Sequence, residues 1–299
     1  MDEVIVFVPA TSANLGPGFD CLGLALDLWN TTTFRLGGEG IRVSVKGEGS
    51  DTLPSTPDNL VVRAFSELYR RMEATQPGDI RLECENLIPL GSGMGSSAAA
   101  TLTGLLAANC FLGEPLSRLE ILRIAAEFEG HPDNAAAALF GGLVTVLPDL
   151  DPPLVHTTQV KPLDVVLVLP DIHLSTQAAR NALPAKIGLK DAVYNLGRTA
   201  LVVKALHEGD LTLLAKVMDD RLHQPFRFGL IPGAEQAIRA AQRAGAAAAF
   251  SGAGPGVIAF VSDETLKVED EMRQAFLDAQ VESRVFRLRV STNAARWYA

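Results

Sequence analysis

The sequence predicts an α+β chain built as two units, and three observations carry that prediction. Strand patterns and helix patterns follow one another without alternating one for one, which disfavours a doubly wound parallel sheet. A Pro- and Asp-rich stretch, Leu147-Pro148-Asp149-Leu150-Asp151-Pro152-Pro153, divides the chain into units of residues 1–153 and 154–299. A glycine-rich segment, Pro89 to Gly95, runs straight into a long Ala/Leu-rich helical pattern. Of the 299 residues, 47% are apolar and 20% charged, enough for a full core and too little charge for a disordered chain.

Taken in order, Val4–Val8 is an apolar strand, and Thr31–Leu36 and Ile41–Lys46 are β-branched alternating strands. Leu60, Ala64, Leu68 and Met72 recur at helical spacing and predict a helix over Asp58–Ala74. Ile80, Leu82 and Cys84 alternate with Arg81, Glu83 and Glu85, a half-buried strand. Ser117-Arg118-Leu119-Glu120 is a capping box that opens a helix toward Gly130. Gly141–Val146 reads as a turn and strand, and Val165–Leu169 as a buried strand. Helices are expected at Asp191–Glu208, Asp210–Asp220, Gly233–Ala244 and about Asp263–Ala279, with strands at Ala248–Phe250, Val257–Val261 and Ser283–Val290.

Composition narrows the function. A net charge of −9 argues against a broad nucleic-acid surface. Any bound polyanion must then be held by backbone dipoles, a metal ion and a few placed basic residues. Cys21, Cys84 and Cys110 are widely spaced without a C-x-x-C pair, the pattern of a reduced cytoplasmic protein. The N-terminus is acidic and unlike a signal peptide. The longest uncharged run, Leu87 to Leu112, contains Pro, Asn and several glycines, so a buried helix is expected rather than a membrane span.

Four motifs carry chemistry. In Pro89–Ala100, glycines that admit close backbone approach lead into a helix start with unpaired N–H groups and partial positive charge. That is a phosphate cradle. It is not a Walker A loop, since no lysine follows the last glycine, and not a dinucleotide fingerprint, since it reads G-x-G-x-G late in the unit. Pro9–Asp20, after the first strand, reads as a long irregular connection rich in small polar residues, an Asn and a Gly-Pro-Gly. It suits either a turn or a binding loop. Glu127-Phe128-Glu129-Gly130-His131-Pro132-Asp133-Asn134 puts carboxylates at a helix C-terminus, where the dipole disfavours them. A divalent cation or plain solvation would each account for that. Ser251–Gly256 is a second glycine loop, either a hairpin or a second wall of one ligand site.

Together, Pro9–Asp20, Pro89–Ala99 and Ser251–Gly256 resemble the three ordered motifs of the GHMP small-molecule kinases, over essentially the whole chain. The form Thr11–Asp20 with Glu129–Asn134 is most similar to the branch that uses L-homoserine as acceptor. The resemblance implies an N-terminal domain like ribosomal protein S5 domain 2, a ferredoxin-like C-terminal domain and a cleft between them. It implies that Pro89, Leu90, Gly91, Ser92, Gly93, Met94, Gly95, Ser96, Ser97, Ala98 and Ala99 wrap the phosphates of ATP. Ser97 and Glu127, with Glu129 in reserve, would hold Mg²⁺. Asn14, Asp20 and His131 would touch the acceptor, and Arg180 and Arg227 would clamp its carboxylate. Asn14 and Asn134 would lie nearest the reacting hydroxyl; the Asp133-Asn134 pair leaves that alignment open by one residue. Many relatives carry a lysine in the N-terminal motif; here none lies between Met1 and Val45, so an obligatory general base is not expected. Another hydroxylated acceptor, or a metabolite sensor without turnover, are the alternatives. A homodimer is a compatible assembly; nucleic acid and membrane partners are not expected.

Overall fold

The computed structural model describes residues 2–262 and 267–299. The chain opens with β1 (Glu3–Ala13), β2 (Leu22–Leu36) and β3 (Ile41–Gly47), then α1 (Leu60–Arg71) and β4 (Ile80–Asn86). Val4, Val6 and Val8 face the core at the two-residue period of a strand. β1 is longer than expected. It runs on through Pro9–Ala13, paired with β2 across a register shift at Pro9/Ala10, so the first five residues of the expected Pro9–Asp20 loop are strand. A proline is tolerated at such an irregularity because no ladder bond is lost. β3 lies parallel to β4, with α1 as the crossover, and the other pairings of this sheet are antiparallel. The buried face of α1 is Val61, Val62, Ala64, Phe65, Leu68 and Tyr69. Met72, counted into the apolar stripe from sequence, is instead the exposed C-cap, because the helix is rotated toward Phe65 and its stacked partner Phe34.

α2 (Ser96–Phe111) is apolar all round and accordingly buried at the centre of the unit. Gly104 sets its approach to α1, since a Cβ there would sit 2.2 Å from the Val61 carbonyl oxygen. α3 (Arg118–Glu129) starts at Ser117, whose hydroxyl and the Glu120 carboxylate form the expected capping box. Replacing Ser117 with Ala is expected to destabilise the protein by about 1 kcal/mol in urea unfolding. α4 (Asp133–Phe140) was not anticipated; its run of buried alanines lets it lie close on β1 and β2. β5 (Leu143–Leu147) pairs with the start of β2, and β6 (Leu154–Thr158) pairs with β5.

The second sheet begins with β7 (Asp164–Pro170). Helices α5 (Thr176–Asn181), α6 (Leu189–Glu208), α7 (Leu211–Val217) and the single turn α8 (Gln224–Arg227) follow. Then come α9 (Ala234–Arg243), β8 (Ala247–Phe250), β9 (Val257–Val261), α10 (Val268–Asp278) and β10 (Ser283–Arg289). The start expected for the last helix, near Asp263, lies outside the described residues. The strand order is β10-β7-β9-β8, all antiparallel. α9 and α10 bury Ile238, Met272 and Phe276 on this sheet. β11 (Arg296–Tyr298) returns to pair with β1, so the first sheet takes edge strands from beyond residue 153. One apolar core joins the units: Val202, Leu206 and Leu214 of α6 and α7 pack with Leu167 and Ile258 of the second sheet and with the core of the first. Among the described residues no helix is long and apolar enough to cross a membrane.

Candidate active site

The three glycine-bearing motifs meet where the two units touch. Gly91, Gly93 and Gly95 have φ of 60°, 78° and 71°, a left-handed backbone that favours glycine. At Gly93 the reason is also spatial: a Cβ would lie 2.1 Å from the Ser251 carbonyl oxygen. Ser92 braces the loop from inside, its hydroxyl donating to the Pro89 carbonyl (2.7 Å) and accepting from the Met94 amide (3.2 Å). The Thr11 amide donates to the Met94 carbonyl (3.1 Å), and the Gly256 amide to that of Ser92 (3.2 Å). The Ser251 hydroxyl bonds both Ser12 and the Gly93 carbonyl. Gly95 caps α2 without a side chain, so the first amides of that helix are left for a ligand.

One cavity beside this loop is lined by Asn14, Asp20, His131, Asp133, Asn134, Arg180 and Arg227, together with Ser97 and Glu129. The structure therefore gathers every expected acceptor residue in one place. Arg180 and Asp20 form a two-pronged ion pair at 2.8 and 3.0 Å, each about one-third exposed. Arg227 is 1% exposed. Its Nε donates to the Ala179 carbonyl (3.2 Å) and its Nη1 to His223 Nδ1 (2.9 Å). Burial, then the nearby Arg180 charge, lower its pKa to about 10, so it stays charged near neutrality. Asn14 is held by the protein at both ends of its amide: Nδ2 donates to the Gly252 carbonyl (2.7 Å) and Oδ1 accepts from the Asp20 amide (2.9 Å).

Asp133 and Asn134 open α4 and are both buried. Asn134 Oδ1 accepts from the Thr11 hydroxyl (2.8 Å). Asp133 Oδ1 takes the Asn134 amide (2.7 Å) and lies 2.7 Å from His131 Nδ1. Burial pulls the His131 pKa down, but the hydrogen bond and charge of Asp133 outweigh it and the pKa lies above its ordinary value.

The structure does not bring Glu127 to Ser97. Glu127 was expected there, but it projects from the other side of α3 and pairs with Arg71, which holds its carboxyl below the usual range. Glu129, two residues on and so on a different face of the helix, is the carboxylate that meets α2. Its Oε1 accepts from Ser97 (2.8 Å) and Thr101 (3.0 Å).

Sequence reading missed a second pocket across the loop. Asn30, Leu60, Val61, Asn86, Leu90 and Thr103 line it, and it shares Gly91, Ser96 and Ser97 with the first. Its residues come from β2, α1, β4 and α2 and form no local motif, so only the fold assembles them. Thr176, at the start of α5, also lines the first cavity, and no sequence motif marks it.

Fold, loop and paired cavities are those of a small-molecule kinase of the GHMP class. A family model of the GHMP kinase N-terminal domain matches residues 59–142 and one of the GHMP kinase C-terminal domain matches 202–278. A homoserine kinase of Moorella thermoacetica is 41% identical over 274 residues, 91% of this chain and 92% of that one. One of Halothermothrix orenii is 44% identical over 277 residues, covering 90% and 88%. The crystal structure of a homoserine kinase from Cytophaga hutchinsonii superposes with a TM-score of 0.86 at 32% identity, covering 100% and 98%. An L. major mevalonate kinase shares the fold at 16% identity and a TM-score of 0.71. The chain belongs to the homoserine kinase family of GHMP kinases.

Proposed function

We propose that the protein transfers the γ-phosphoryl group of ATP to the side-chain hydroxyl of L-homoserine, giving O-phospho-L-homoserine and ADP. The observation that carries this reading is that a charged, two-sign cavity and an apolar, amide-bearing pocket adjoin at one glycine loop, sharing Gly91, Ser96 and Ser97. The pocket suits a nucleoside, the loop its phosphates and the cavity a zwitterion. Arg180 and Arg227 would take the carboxylate and Asp20 the ammonium, with Asn14 holding the Asp20 loop. An entering amino acid replaces the Asp20–Arg180 ion pair with one partner for each charge, so neither group is left bare. Such an acceptor also explains two arginines in a chain of net charge −9.

The residues fit a magnesium ion. Among the described residues no group of three His, Cys, Asp or Glu gathers, as an all-protein cage would need. One carboxylate and one hydroxyl, Glu129 and Ser97, stand at the phosphate cradle, and Mg²⁺ commonly takes few protein ligands besides phosphate oxygens and water. When bound, the ion would neutralise charge developing on the transferred group. Glu129→Gln is expected to lower kcat roughly 10²-fold and raise the Mg²⁺ needed for half-maximal rate. Glu127→Gln should leave both within about twofold, as expected of an exposed surface pair. A magnesium titration of the two variants checks this; the reverse outcome restores Glu127.

No residue need act as an obligatory base. Asp133 Oδ1 is already engaged by His131 and the Asn134 backbone amide, and the Asn134 side-chain amide has no basic proton acceptor of carboxylate strength. Positioning and charge neutralisation would supply the rate. Asp133→Asn is expected to cost less than the roughly 10²–10⁴-fold that a base contributes. A loss of that size in single-turnover rate, with homoserine affinity intact, makes Asp133 the base.

Cys21, Cys84 and Cys110 form no disulfide, which supports a cytoplasmic location, and exposed Leu189, Val193 and Leu196 on α6 are compatible with a homodimer. The test of function is ADP release over homoserine, threonine, serine, mevalonate and galactose. Preference for homoserine by kcat/KM is the expected result. Preference for an acceptor without the amino-acid group would overturn it, and so would nucleotide binding without turnover.

A further inference from the structure

We infer that His223 is a positioning residue that fixes both Arg227 and the turn carrying Asn14 and Asp20 for the acceptor, an inference that rests on the proposed role of Arg227. His223 is fully buried just before α8, one helical turn ahead of Arg227. Both ring nitrogens are engaged. Nδ1 lies 2.9 Å from Arg227 Nη1, and Nε2 lies 2.8 Å from the Gly16 carbonyl oxygen. A guanidinium only donates and a carbonyl only accepts. The network is therefore satisfied by one state alone, the neutral ring with its proton on Nε2. Burial and then the Arg227 charge, opposed by Asp220, hold its pKa down at about 4.

The neighbours make this a relay between two walls of the cavity. Asp220 sits 3.6 Å from Nε2, but its oxygens accept from the amides of Leu222, His223 and Gln224 and from Asn195. It fixes the backbone of the turn before α8, so the ring is free to serve Gly16. Phe19 stacks on the imidazole at 5.2 Å, and the same ring lies 5.8 and 5.5 Å from the guanidinium carbons of Arg180 and Arg227. Pro17, next to Gly16, has its carbonyl held by Asn195 (3.0 Å) and Thr199 (2.9 Å) of α6. Gly16 is pressed so closely on Met218 that a Cβ would lie 2.1 Å from its carbonyl oxygen. Arg227 in turn bonds the carbonyl of Ala179, the residue before Arg180. Its Nη2 has no protein acceptor among the described residues and is left for a ligand. A plain core side chain would fill the space of the ring but would leave Arg227 Nη1 only the longer contact to the Gly252 carbonyl (3.5 Å), so the Nδ1 acceptor is the shorter of the two that turn this end of the fork.

Three substitutions and one spectrum test this. His223→Leu removes both contacts and is expected to raise the homoserine KM about tenfold or more, with the ATP KM within about twofold. Homoserinol, which lacks the carboxylate, should lose much less. His223→Asn keeps an oxygen near Nδ1 and should recover most of the homoserine KM; His223→Gln, whose amide reaches toward Gly16, should recover less. The inference is overturned by a folded Leu variant with parental KM, by equal losses for homoserine and homoserinol, or by equal KM in the Asn and Gln variants. If substitution unfolds the chain, ¹⁵N-imidazole spectra of the unsubstituted protein decide. The Nε2–H tautomer should persist from about pH 5.5 to 8, the range in which a free histidine titrates. An Nδ1–H tautomer or an imidazolium at neutral pH rejects the relay. Failure of the unsubstituted protein to phosphorylate homoserine would instead strike the functional reading and leave the tautomer result standing.

Discussion

Replacing Gly95 with Val is expected to cut kcat/KM by at least about 10²-fold, the cost of displacing a reacting group by about an ångström. Gly95 has φ of 71°, where a β-branched residue is a severe outlier and any L side chain costs about 1–2 kcal/mol. The space is also taken. A Cβ would lie 2.1 Å from Thr11 Oγ1 and 3.3 Å from Asn134 Oδ1, two atoms that hydrogen-bond each other at 2.8 Å. The added side chain therefore strikes the support of Asn134, and relief requires Thr11 to release that amide or the α2 N-terminus to shift away from the proposed phosphate site. Gly95→Ala should show the same defect in weaker form. Gly197→Ala is the control: nothing lies within 4 Å of its Cβ position, on the exposed side of α6. Steady-state kinetics with folding verified by circular dichroism checks the series. Full activity in Gly95→Ala would show that neither Thr11 nor the loop backbone is as constrained as its geometry indicates.

Arg180→Leu is expected to raise the homoserine KM by roughly 10- to 150-fold, the worth of a hydrogen bond to a charged group at about 1.4 kcal/mol per decade. The ATP KM should hardly move. Arg180 is the cleaner of the two arginines for this purpose. Its partner Asp20 is about one-third exposed and can be rehydrated when the guanidinium goes. Arg227→Leu would also strip the donor from His223 Nδ1 and the Ala179 carbonyl inside the protein, adding a stability loss to the binding loss. Homoserinol separates the two readings of an Arg180 defect. A carboxylate-reading arginine costs homoserine far more than homoserinol. Equal losses would mean that Arg180 shapes the cavity through Asp20 alone.

The α+β class, the capping box at Ser117, the alternating strand Ile80–Glu85 and the three glycine-bearing motifs are all legible in the sequence. Each of these is written in adjacent residues or in a two- or four-residue period. A glycine that needs left-handed φ, a serine that caps its own helix or an alternating apolar face depends on local backbone alone, and local chemistry reports it. The tertiary structure decided the rest. Glu127 and Glu129 are equivalent as local signals at the end of one helix. Which of them meets Ser97 depends on the rotation of α3 against α2, set by the burial of Ile121, Leu122, Ile124 and Ala125. The strand character of Pro9–Ala13 came from pairing with β2, which overrode a turn-rich composition. The second pocket, the Thr11–Asn134 bond and the His223–Gly16 contact join residues 123 and 207 positions apart or from several separate elements. No local pattern encodes them, because the energy that fixes them is the packing of one element on another.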